Sequence, residues 1–234
     1  MRLACLWFSL AAHGAVGLIV RRRALPLIAA TTIAATTLAV PNCGALSLTQ
    51  SSLDEVDVFF PAALVGKWQV TLKRTLVEGD AAAAEAAWRG LGGSGSFRAL
   101  TESYETRFVT GGGTSPKLAA IVDREFELDS RLGVGSVESW ARDAPGVISF
   151  ARGGGMRVVQ RNAEQAESGF GFTEYIVLTD GTGFERVARV QRRLRTATGG
   201  IDGLEIVKTY RLLDGVASDL PTSTTKTRIR YDRL

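Results

Sequence analysis

The chain has 234 residues and a formal net charge of +4, and Arg2, Arg21, Arg22 and Arg23, with no acid among them, place all of that charge in residues 1–45. The remainder is neutral, so it has no overall field to draw in a polyanion, and a nucleic-acid partner is not expected. The only histidine, His13, and both cysteines, Cys5 and Cys43, also lie in residues 1–45, so the rest of the chain cannot form a disulfide, a Cys/His zinc site, a Ser-His-Asp triad or a cysteine nucleophile, and no metal is expected.

Residues 1–45 hold two uncharged apolar runs, Leu3 to Val20 and Ala24 to Val40, on either side of Arg21-Arg22-Arg23. Basic residues, an apolar stretch and then small residues ending at Ala45 describe a cleavable targeting segment, and the paired arginines also satisfy the loose form of a twin-arginine signal. A pair of transmembrane helices is the rival reading, since each run approaches spanning length. The Ala/Thr-rich second run favours a transient signal over an anchor. The expected domains are therefore 1–45, a targeting segment, and 46–234, one soluble β domain.

From residue 46 the polarity alternates in short segments rich in Val, Ile, Thr and aromatics, the period-2 pattern of antiparallel strands. Strands are expected over Gly66–Val77, Phe97–Thr110, Leu118–Leu128, Ser136–Trp140, Val147–Ala151, Arg157–Arg161, Thr173–Thr179, Phe184–Arg195, Leu204–Leu213 and Thr224–Asp232. The Ala-rich stretch Asp80 to Gly90 reads as a short helix with Asp80 as N-cap and a glycine stop, held down by Trp88, or equally as a low-complexity insertion. Gly111-Gly112-Gly113 and Gly153-Gly154-Gly155 read as loops without phosphate-cradle spacing. Eight to ten strands without crossover helices predict an all-β, antiparallel up-and-down barrel, which removes exposed edges, with an orthogonal sandwich as the near alternative.

Alternation also assigns side chains. It places Arg124 inward with Ala120, Val122, Phe126 and Leu128, where a carboxylate or a ligand anion would suit its fork, and it leaves Asp123, Glu125, Glu127 and Asp129 on a solvated outer face. Trp140, Phe150 and Tyr175 are the aromatics expected to line the interior with Arg124. Arg189, Gln191, Arg193 and Arg195 form a basic stripe that either pairs across the hairpin with Glu205 and its neighbours or docks on an acidic partner or a lipid headgroup.

Gly66-Lys67-Trp68 on the first long strand, with Lys226, Arg228 and Arg230 on the last, resembles the lipocalin and calycin pattern. There a tryptophan packs under an arginine of the last strand; the resemblance implies that Trp68 meets Arg228 or Arg230 and closes one end of the barrel. The order Phe60-Pro61, Gly66-Lys67-Trp68-Gln69-Val70-Thr71, Val122-Asp123-Arg124-Glu125-Phe126, Thr173-Glu174-Tyr175 and the paired strands 186–195 and 204–213 is similar to an uncharacterised domain-of-unknown-function family of cyanobacteria and plastids. That resemblance implies a chloroplast protein, with a transit peptide, in the thylakoid lumen, and it brings no catalytic residues.

Without a catalytic spacing among Asp, Glu, Lys, Arg, Tyr, Ser or Thr, the expected role is binding. The ligand would be a small amphipathic or apolar molecule; assistance to assembly of a photosynthetic complex, through Arg189, Arg193 and Arg195, is the companion reading. A carboxylate/Arg enzyme acting on a pigment or lipid, or a pure protein-docking module, stands as the alternative. The sequence specifies no cofactor.

Overall fold

A computed structural model describes residues 58–115, 118–140, 146–166 and 169–234; the apolar runs and the expected cleavage near Ala45 lie outside the described residues. All strands join one antiparallel sheet. In chain order they are β1 Phe60–Pro61, β2 Gly66–Gly79, β3 Thr101–Ser115, β4 Leu118–Val122, β5 Val137–Trp140, β6 Val147–Phe150, β7 Gly155–Ala166, β8 Gly169–Thr179, β9 Glu185–Ala197, β10 Gly200–Leu213, β11 Val216–Ala217 and β12 Ser223–Arg233. Among the described residues two α-helices interrupt them, α1 Ala81–Gly90 and α2 Arg124–Leu132, and a 3-10 turn at Ala62–Leu64 precedes β2.

The strand order is β1-β4-β3-β2-β12-β10-β9-β8-β7-β6-β5, with β11 folded back on β10. The sheet curls into a lipocalin-like half-barrel, in which the first long strand pairs with the last, β2 with β12, as in an up-and-down barrel. Its open seam lies between the two edge strands of that order, β1 and β5, which do not pair. Alternation fills the inside: Trp68, Val70 and Leu72 on β2, Phe170 and Phe172 on β8, Leu194 on β9 and Ile229 and Tyr231 on β12 are buried together. Phe60 of β1 reaches across to Phe108, Phe170 and Phe172, at 5.0, 4.9 and 5.9 Å between ring centroids. This aromatic plug shuts one end, and a second apolar cluster around Ile148, Met156, Ile176, Leu178 and Val190 lines the other.

The expected strand Leu118–Leu128 stops at Val122. Asp123 then caps a helix, its carboxylate accepting from the Phe126 amide at 3.2 Å. In a helix Arg124, Glu127, Leu128 and Arg131 share one face, which is why the expected solvated row fails: Asp123 is only 2% exposed and Glu127 faces the interior. Packed against β3 and β5, α2 covers the seam of the sheet. The Ala-rich helix forms as expected, Asp80 accepting from Ala82 and Ala83, whereas Gly111-Gly112-Gly113 lies within β3.

Gly66 takes φ +132° at the entry to β2, a conformation that favours glycine. Trp68 beside it is buried and donates to the Leu64 carbonyl at 2.7 Å. The arginine over its ring, at 5.6 Å, is Arg233, its register partner. On β12 it is Thr225, Thr227, Ile229 and Tyr231 that turn inward, so Arg228 and Arg230 sit on the outer face and do not close the barrel on Trp68.

Candidate functional site: a cavity crossed by a charged belt

Between the plug and the helices lies a cavity of about 340 Å³. Its floor is set by cross-strand register. Arg74, Thr227, Glu205, Arg192 and Phe172 stand side by side on β2, β12, β10, β9 and β8, and the next row outward is Thr225, Val207, Val190, Glu174 and Arg161. The belt therefore separates the aromatic plug from the apolar wall formed by Ile148, Met156, Ile176, Val190 and Val207. The loop 94–101 and α1 border the rest.

Buried charges survive only when partnered, and the belt follows that rule. Arg192 meets Glu205 at 2.5 Å, Arg131 meets Glu102 at 2.9 Å, and Arg124 meets Glu174 at 2.8 Å. Arg161 binds the same Glu174 oxygen at 2.8 Å, so two guanidiniums grip one carboxylate. Glu127 accepts from the hydroxyls of Thr106 at 2.8 Å and Tyr104 at 3.4 Å. Trp88 donates to Glu102 at 3.0 Å, which ties α1 to the sheet. A side chain on Gly93 would strike that indole, its Cβ falling 2.2 Å from the ring.

Arg74 is different. Its guanidinium donates to the carbonyls of Phe97 and Ala99 and lies 4.1 Å from the centroid of Phe97 and 5.4 Å from that of Trp88. Among the described residues no carboxylate is within ion-pair distance of it. Burial lowers its pKa, against the pull of Glu102 and Glu205. Arg192 shows the reverse balance: burial opposes its charge, yet Glu205, Tyr231, Tyr104 and Glu127 raise its pKa well above the ordinary value. Burial, and then Glu127, also push the Tyr104 hydroxyl well up.

Of the residues expected to line the interior, Arg124 does so, from α2 rather than from a strand. Trp140 and Phe150 are partly buried against the apolar wall. Tyr175 is not in the cavity: β8 turns Glu174 and Ile176 inward, and Tyr175 packs outside with Val177 and Val187 under Ala217 of β11. In the basic stripe, Arg189 lies 5.8 Å from the Tyr175 ring, while Arg193 and Arg195 are exposed. Glu205 faces inward to Arg192 and pairs with none of them.

Sequence reasoning missed Arg74, Glu102, Arg131, Glu174 and Arg192, and it gave Glu127 and Glu205 to the outer face. A two-residue turn, Thr198-Gly199, joins β9 to β10, and its register places Arg192 opposite Glu205; reading that turn as longer hid the pair. Among the described residues no group of three acidic, histidine or cysteine side chains is placed to hold a metal ion.

A family profile described as "Domain of unknown function (DUF6816)" matches residues 53–230. The chain belongs to that family. Comparisons with curated proteins and with solved structures found no match. The family match spans the belt, both helices and the aromatic plug.

Proposed function

We propose that this chain is a binding protein that encloses a small amphipathic molecule, with an acidic group, in the cavity above the charged belt. The observation that carries this reading is Arg74, a guanidinium that has no carboxylate partner among the described residues, at the edge of a 340 Å³ cavity whose other arginines are held by carboxylates. Interiors with nothing to hold are filled by side chains to crystal-like density. A few convergent polar groups in an apolar pocket of a few hundred Å³ mark a small-molecule site. The anchoring role first assigned to Arg124 passes to Arg74, because Glu174 already holds Arg124. Ile176, Val190 and Met156 would receive the apolar part, with Trp140 and Phe150 behind them. The N-terminal segment, cleaved near Ala45, would deliver the protein to the thylakoid lumen of a plastid.

Native mass spectrometry of the protein, as purified and after incubation with a medium-chain fatty acid and its matching alcohol, tests this. The expected result is a bound small molecule and preference for the acid. Arg74→Gln should weaken acid binding about ten- to a hundredfold, the worth of a charge-assisted hydrogen bond, and Val190→Phe should block both probes by filling the cavity. Absence of any bound molecule, with equal indifference to both probes, would overturn the reading.

A further inference from the structure

The outer face of the same strands carries cations that the cavity does not use. Lys73, Arg228, Leu204 and Arg193 stand side by side on β2, β12, β10 and β9, and Arg230, Asp202 and Arg195 form the next row. Lys73, Arg228, Arg193 and Arg195 are exposed, and among the described residues none of the four lies within ion-pair distance of a carboxylate. Arg230 alone is paired, with Asp202 at 3.0 Å and Asp232 at 2.8 Å. Next to Arg193 and Arg195, β8 presents Gly169 and Gly171, so no side chain fills the space beside them. The cations border an open trough of about 1230 Å³, and Leu204 in its middle is 40% exposed.

We propose that this face docks on an anionic lipid surface. Charge complementarity is the first reason: four free cations crowd one side of a region that is neutral in sum, so they form a local field rather than a general one. Shape is the second. The cations rise from a sheet face on long stems that can reach a layer of headgroups while Leu204 between them meets the apolar boundary. Stacking platforms for the bases of a single strand, the usual mark of a nucleic-acid groove, are lacking among the described residues of this face, since Phe170 turns inward. This site does not depend on the cavity, and Arg189, tucked against Tyr175, is not part of it.

The test uses the full chain with Cys5→Ser and Cys43→Ser, and an environment-sensitive fluorophore on Leu204→Cys. The label reports the patch itself, whatever the N-terminal segment does. Vesicles of phosphatidylcholine with roughly one-third phosphatidylglycerol should shift its emission, and vesicles of phosphatidylcholine alone should not. The shift should vanish near 1 M salt, where the screening length falls to about 3 Å. Replacing Arg193 and Arg228 with Gln should weaken binding about twenty-fivefold, at about fivefold per cation near a charged leaflet, whereas Arg152→Gln with Arg211→Gln should leave it within about twofold. A second label at Thr71→Cys reads the same face if the Leu204 variant does not fold. An equal response to both vesicle types, no response, or no effect of the Arg193 and Arg228 changes overturns the proposal. So does a response to polyglutamate or RNA in place of vesicles, which would assign the face to an acidic macromolecule.

Discussion

At the residue scale, the interior chemistry is governed by how each buried charge is compensated. Arg161, Glu174 and Arg124 show a carboxylate gripped from two sides, and Arg192 with Glu205 a cross-strand pair. Tyrosines packed beside this belt report its polarity. Burial raises the pKa of Tyr231 to about 12, with the positive charge of Arg192 opposing. A raised tyrosine pKa stabilises the fold fully below the unfolded value near 10 and loses that contribution as pH rises to about 12, because the unfolded chain gives up its proton first. Urea unfolding between those pH values should therefore show stability falling by about 2 kcal/mol for this group. Tyr231→Phe should flatten that slope, and its removal should delete a late step from the ultraviolet titration of tyrosinate. An unchanged slope in the variant would show that Tyr231 titrates normally.

At the scale of elements, two helices with the same kind of cap behave differently from their sequence patterns. The stretch Asp80 to Gly90 is legible because its acidic N-cap, alanines and terminal glycine all favour the same state. Residues 118–128 are misread because a run such as Ile121-Val122-Asp123-Arg124-Glu125-Phe126 satisfies alternation, while Asp123 can equally cap a helix with Glu125 and Glu127 in its first turn. What decides is the place of α2 over the seam, where Leu128 finds the core and Arg131 finds Glu102 and the Leu91 carbonyl at 2.9 Å. On α1, Asp80→Ala removes a cap worth about 1 kcal/mol. Since α1 borders the cavity and touches the sheet mainly through Ala84, Ala87 and Trp88, the loss should be local. Hydrogen exchange of amides 82–91 should quicken about fivefold at near-constant global stability, and uniform quickening across the sheet would show that α1 opens only with the whole fold.

At the scale of the molecule, the half-barrel is closed at one end by side chains, not by hydrogen bonds. Phe60, on the strand at one edge of the sheet order, packs on Phe170 and Phe172 of β8, with six strands between them along that order. Phe60→Ala should therefore cost about 3 to 5 kcal/mol in chemical denaturation, as a large-to-small change in a plug does when the walls cannot collapse, and a loss below about 1 kcal/mol would show that β1 is not part of the closure. The sequence by itself determined the antiparallel strands and the Ala-rich helix, because alternation and capping are local and survive without knowledge of partners. Register and contact were decided only by the tertiary structure. Local pattern does not say that Arg233 rather than Arg228 or Arg230 meets Trp68, that Tyr175 lies outside, or that Lys73 and Arg193 share a face. Nor does it bring Arg74, Glu205 and Arg192, distant in the chain, onto one row. Each of these depends on how strands far apart in sequence slide against one another, and a one-residue slip sends a side chain to the opposite face.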